Sequence, residues 1–131
     1  MNQVKTYIDK SSIEGIGLFA GEFIPKGTLI WKPSGLDRIY TKDEYENIKI
    51  SDFEKDYMKR YTFGKGDLRI FCSDEMRYCN HSDTNPNLGG YLTQIALRDI
   101  QPGEEITQDY SELTENFTEE EFKELTSYQL K

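Results

Sequence analysis

The chain has 131 residues, 36% hydrophobic and 31% charged, which suits one compact domain with a modest core and excludes a disordered tail. Sixteen Lys plus Arg stand against twenty-four Asp plus Glu, and the net charge of -8 argues against general nucleic-acid binding, which rests on neutralising phosphates, while it suits a basic, Lys-rich partner. No apolar run reaches membrane-spanning length, and MNQVKTYIDKSS lacks the hydrophobic stretch of a signal peptide.

In chain order, VKTYI (residues 4–8) reads as a first strand, EGIG as a glycine-rich turn and LFA as a second short strand. Pro25-Lys26-Gly27 is a turn signal ahead of a strand over residues 28–31. The pattern then changes. Thr41 with Glu44 fits a capping box opening a helix over KDEYENI, and Ser51 with Glu54 fits a second over DFEKDYMKRY. Phe53, Tyr57, Met58 and Tyr61 recur at near-helical spacing, which predicts one buried face. Strands resume with LRIFC. YLTQIALRDI and EEITQDY read as the last strands, split by the turn Gln101-Pro102-Gly103-Glu104. At the C-terminus Thr118 with Glu121 predicts another capped helix, with Phe117 and Phe122 placed as a hydrophobic staple. Short β elements at both ends around a helical insert predict a single α+β domain over residues 1–131.

Three segments carry residues with chemical potential. EGIGLFA has two glycines one residue apart, which let the backbone turn tightly and approach a ligand; a plain hairpin turn is the alternative. It lacks the third glycine and following helix of a dinucleotide-binding loop. RYCNHSDTNPN offers the amide of Asn80 and the chain's single imidazole, His81, whose alternative is a structural hydrogen-bonding role. GEEITQDY is an acidic turn leading into a strand that ends in Tyr110; an ordinary edge strand is its alternative. Cys72 and Cys79 have no CxxC spacing, and one histidine does not complete a zinc site with them, so reduced thiols, with a disulfide as the alternative, and no metal are expected.

Taken together and in this order, the three segments resemble the SET-domain family of protein-lysine methyltransferases. EGIGLFA resembles its GxG motif, with IPKGTLI like the strand-turn-strand that follows. RYCNHS…NPN resembles RFxNHSCxPN, and EEITQDY resembles ELxxDY. The likeness runs from about residue 13 to 110. It implies a mainly β, β-clip-like fold of small curved sheets with a threaded, knot-like core. Residues 41–61 would be the helical insert that shapes the substrate groove, and residues 111–131 a C-terminal helical closing segment.

The chain departs from the family pattern in four places. Asp83-Thr84-Asn85 separates NHS from PN, one residue more than usual, which predicts a bulge. Asp83 stands where the family has cysteine, the zinc-binding cysteines after the DY motif are missing, and Gln108 stands where many members carry Phe or Tyr facing the lysine channel.

The activity implied is transfer of a methyl group from S-adenosylmethionine to a lysine amine of a protein, with S-adenosylhomocysteine as product and no metal. A catalytically inactive module that binds a basic peptide or the cofactor is the alternative. By the same resemblance Tyr110 is the tyrosine at the methyl-transfer point and Tyr61 the second channel tyrosine, with a core residue at a helix end as the alternative for Tyr61. Tyr91 is a third candidate. Backbone groups of Gly15, Ile16 and Gly17 would meet the methionine moiety, the Asn80 side chain its amino group and the His81 backbone the adenine, on which Phe117 would stack; the His81 imidazole is instead expected to brace the knot. The expected partner is a basic, Lys-containing, histone-like protein, and minimal viral relatives suggest a homodimer. Cytoplasmic location is expected for a bacterial source and nuclear location for a eukaryotic host.

Overall fold

The computed structural model describes residues 1–113. The expected C-terminal helix, its capping box and Phe117 lie outside the described residues. The elements run β1 (Thr6–Lys10), β2 (Ile16–Ala20), β3 (Leu29–Trp31), β4 (Arg38–Thr41), α1 (Lys42–Glu46), α2 (Asp52–Tyr61), β5 (Thr62–Phe63), β6 (Leu68–Phe71), β7 (Asn80–His81), β8 (Leu88–Gly89), β9 (Gln94–Ala96) and β10 (Glu105–Gln108).

β1 and β2 form an antiparallel hairpin with Thr6 opposite Ala20 and Lys10 opposite Ile16. Ser11 builds its turn: the Ser11 amide donates to the Gly15 carbonyl at 2.8 Å, and Ser11 Oγ accepts from the amides of Ile13 and Glu14. Gly15 takes φ +45°, a left-handed conformation that a Cβ penalises. The hairpin joins a seven-stranded sheet ordered β1-β2-β10-β8-β9-β3, with β7 also on β10. Its inward residues Leu18, Ile30, Trp31, Leu88 and Ile106 are fully buried, as is Ile100 beside them in the core, each contributing about 1.5–3 kcal/mol of hydrophobic free energy.

β10 organises the molecule. It pairs antiparallel with β2 (Ile106 opposite Leu18), and parallel with both β7 (Thr107 opposite Asn80) and β8 (Gln108 opposite Leu88). The stretch from Asn80 to Gly89 therefore meets β10 twice. Asn87, 1% exposed, pins the second meeting: its Oδ1 accepts from the Thr107 amide at 2.9 Å and its Nδ2 donates to the Glu105 carbonyl at 2.7 Å. The extra residue of the NHS-to-PN spacing is absorbed at the surface, where Asp83, Thr84 and Asn85 are exposed.

The insert forms a second sheet ordered β4-β6-β5 with α1 and α2 beside it. Both capping boxes are made: Thr41 Oγ1 accepts from the Glu44 amide and Ser51 Oγ from the Glu54 amide, with each glutamate reaching back to the cap amide. An edge-on contact of Trp31 with Phe63, centroids 5.4 Å apart, joins this sheet to the main core.

Three sequence expectations are corrected. The first strand starts at Thr6 rather than residue 4. Within YLTQIALRDI only Gln94–Ala96 is strand, because β9 has just two short partners, β3 and β8. The apolar face of α2 is not buried: no residue of that helix is, and Phe53 is 82% exposed. The helix stands at the periphery of a small sheet, so its aromatics wall grooves instead of filling a core.

Candidate functional site

A cavity of about 390 Å³ opens where the β1–β2 turn, the end of α2, the 75–78 turn and the β10 end converge. Gly15, Ile16, Tyr61, Asn80 and Tyr110 all line it. Gly17 and His81 do not; they support residues that do. Tyr91 lies off the cavity, its hydroxyl accepting from the Lys65 amide at 2.9 Å and its ring edge-on to Phe63.

Asn80, 4% exposed, is the most heavily bonded group. Its Nδ2 points at Ser11 Oγ (3.1 Å), Glu14 O (3.2 Å), Ile16 O (3.3 Å) and Glu105 Oε1 (3.1 Å). Four acceptors around one nitrogen fix the amide orientation, since the reversed amide would set oxygen against oxygen. Gly17 makes room for this arrangement: a Cβ there would lie 1.9 Å from Glu105 Oε1. Glu105 is thus a positioning residue that sequence reasoning missed, although it opens the EITQDY stretch that resembles ELxxDY; Ser11 carried no signal beyond its place before the turn.

Tyr110 opens a short helical turn capped by Asp109. Its hydroxyl donates to the Cys79 carbonyl at 2.5 Å, and its amide donates to His81 Nδ1 at 3.1 Å. The imidazole therefore braces the tyrosine, with Nδ1 unprotonated and occupied. Burial pushes the Tyr110 hydroxyl well above the ordinary tyrosine range, with the adjoining Cys79 adding to the shift. Tyr61 sits in an aromatic cluster, 5.0 Å from Tyr57 and 6.1 Å from Tyr78 between centroids, with the Arg77 guanidinium 5.5 Å above its ring. Burial and the neighbouring tyrosines raise its hydroxyl too.

Cys72 and Cys79 line the same cavity as free, buried thiols. Burial pushes Cys72 up to about 12 and Cys79 higher still, so both stay protonated and unreactive near neutral pH. Gln94 and Gln108 complete the polar lining. No group of three metal-ligating side chains occurs among the described residues.

A family model for the SET domain matches residues 15–111. Among solved structures, a Plasmodium falciparum protein provisionally described as a histone methyltransferase superposes with a TM-score of 0.57 at 24% identity, covering 82% of this chain and 94% of that one. The likeness to that structure is one of fold. No curated protein matches the chain in sequence.

Proposed function

The chain belongs to the SET-domain family, and from that premise we propose that it transfers a methyl group from S-adenosylmethionine to the side-chain amine of a lysine in a basic protein. The observation that carries this reading is the convergence of Tyr110, Tyr61, Asn80 and the Gly15–Ile16 backbone on one cavity.

The residues suit the cofactor. All donors of Asn80 are committed to protein acceptors, so what it has left to offer a ligand is Oδ1, an acceptor matched to an ammonium. The exposed backbone of Gly15 and Ile16 adjoins it. These residues would hold the methionine end of S-adenosylmethionine, which when bound supplies a methyl group made electrophilic by its sulfonium.

The chain's own groups then act on the amine. A free lysine has a pKa of about 10.4, so roughly one in a thousand is neutral at pH ~7.4. The rings of Tyr61, Phe63, Tyr78 and Tyr110 along the cavity disfavour the ammonium by removing its water. Tyr110 has spent its one proton on the Cys79 carbonyl, so its oxygen accepts from the amine N–H and turns the nitrogen lone pair to the methyl carbon. His81 is not a base in this scheme, because Nδ1 is engaged by the Tyr110 amide; the released proton passes to water. Incubating the protein with labelled S-adenosylmethionine and core histones, then locating label by mass spectrometry, tests the reading. Label on lysine is expected, and no label from protein that binds S-adenosylhomocysteine would overturn it.

A further inference from the structure

A cation stands on the cavity wall without a counter-charge. Arg77, in the 75–78 turn, lines the cavity and is half-buried. Its hydrogen bonds all go to neutral oxygens: Nε donates to the Asp74 carbonyl at 3.2 Å, Nη2 to the Ser73 carbonyl at 3.0 Å and Nη1 to the Tyr57 hydroxyl at 2.8 Å. No carboxylate among the described residues pairs with it. The guanidinium is held instead over two rings, 5.5 Å from the Tyr61 centroid and 5.7 Å from that of Phe71. These contacts fix its charge beside a tyrosine that faces the cavity. The charge is felt there: burial, Tyr78 and Tyr57 push the Tyr61 hydroxyl up, and Arg60 and Arg77 oppose them.

The other groups facing the cavity leave this charge in place. From α2 comes Arg60 beside Tyr61, but Arg60 is exposed, where water weakens its field. Tyr78 and Tyr110 bring hydroxyls, and the thiols of Cys72 and Cys79 stay protonated. Among the described residues the wall has one carboxylate, Glu14, which belongs to the β1–β2 turn beside Gly15, at the end assigned to the methionine moiety.

We infer that Arg77 keeps the target lysine neutral: its fixed charge beside Tyr61 repels the ammonium in the cavity and so favours the amine that can react. The inference rests on the methyltransferase reading and gives that site a means of deprotonating its substrate. The ammonium gives its proton to water, and the freed lone pair forms the N–C bond as the C–S bond breaks with its pair to sulfur. A like charge held nearby in a water-poor site lowers an ammonium's pKa by on the order of one unit. Only the ammonium feels the repulsion, which yields a kinetic signature that a packing role lacks. Without the charge the unreactive ammonium binds more readily, so kcat and KM fall together. The ratio kcat/KM, which compares the transition state with free lysine, holds.

The test uses the whole protein with core histones, then a peptide around the lysine that they show to be modified. Arg77→Gln and Arg77→Met remove the charge, and Arg77→Lys keeps it. At pH ~7.4 both neutral variants should lose about tenfold in kcat and in KM, and the acid limb of the kcat profile should move up by about one pH unit. Arg77→Lys should stay near wild type. Independently of turnover, the peptide with an isotope-labelled lysine ε-carbon is titrated by NMR on protein saturated with S-adenosylhomocysteine. The bound amine should titrate at least about one pH unit below the free peptide in wild type, and about one unit higher in the neutral variants than in wild type. An equal bound value in wild type and a folded neutral variant, or the same shift in Arg77→Lys, overturns the role of Arg77 and leaves the methyltransferase reading intact. Absence of any transfer overturns that reading itself. If neither neutral variant folds, the wild-type titration decides: a bound amine at the free peptide's value overturns the proposal, and a depressed one supports it.

Discussion

At the residue scale the site depends on a few groups whose partners are already committed. Tyr110 is held from both sides, by the Cys79 carbonyl on its hydroxyl and by His81 on its amide. Tyr110→Phe is expected to leave the fold intact and lower turnover by at least about tenfold, since one well-placed hydroxyl is worth on the order of a few kcal/mol at a transition state. Single-turnover kinetics with circular dichroism as the fold control checks this; near-normal turnover would remove Tyr110 from the mechanism. Gly17 acts through Glu105 and Asn80. Gly17→Ala pushes the Glu105 carboxylate aside and should weaken S-adenosylhomocysteine binding by roughly tenfold, in line with losing a hydrogen bond to a charged group. Added to Glu105→Ala, the same change should cost almost nothing more, because the clash is gone; additive losses in a calorimetric double-mutant cycle would refute the link.

At the scale of elements, α2 behaves as a groove wall and not as a core helix. Phe53 is 82% exposed, so Phe53→Ser should change unfolding free energy by no more than about 0.5 kcal/mol; a loss of several kcal/mol in urea titration would show that the ring is buried. The turn between β9 and β10 is a different case. Burial alone would raise the Glu104 carboxyl, but hydrogen bonds from Arg98, the Gln101 amide and Asn87 outweigh it and hold the carboxyl below its usual value of 4.5. A carboxyl depressed in the folded state adds stability that is fully present above about pH 4.5 and is lost as pH falls through the lower folded value. Thermal unfolding from pH 7 to pH 3 should show a shallower acid decline for Glu104→Gln than for wild type, and equal slopes would count against Glu104.

At the scale of the whole molecule, the net charge of -8 would attract the basic substrate proposed above over a distance. Raising salt from about 50 to 200 mM shortens the screening length, so KM for core histones should rise several-fold while kcat stays near constant. A KM indifferent to salt would show that substrate capture is not electrostatic.

What the sequence determined by itself was local or carried by motif. The two capping boxes were legible because a cap needs only residues three apart. The motif segments identified Asn80, Tyr110 and the 15–17 turn because their residue types and order are tied to one family of sites. Tertiary structure alone decided the rest. It turned the aromatic stripe of α2 outward, since helical periodicity marks an apolar face but not what covers it. It placed Tyr91 off the cavity, bonded to the Lys65 amide, and Gln94 on it. It also separated His81 from Asn80, neighbours on β7 that a strand sends to opposite faces, and Gly17, inside β2, from Gly15 in the turn before it. Which side chains share one pocket depends on how β7, β8 and β2 register against β10, pairings between residues far apart in the chain that no local pattern encodes.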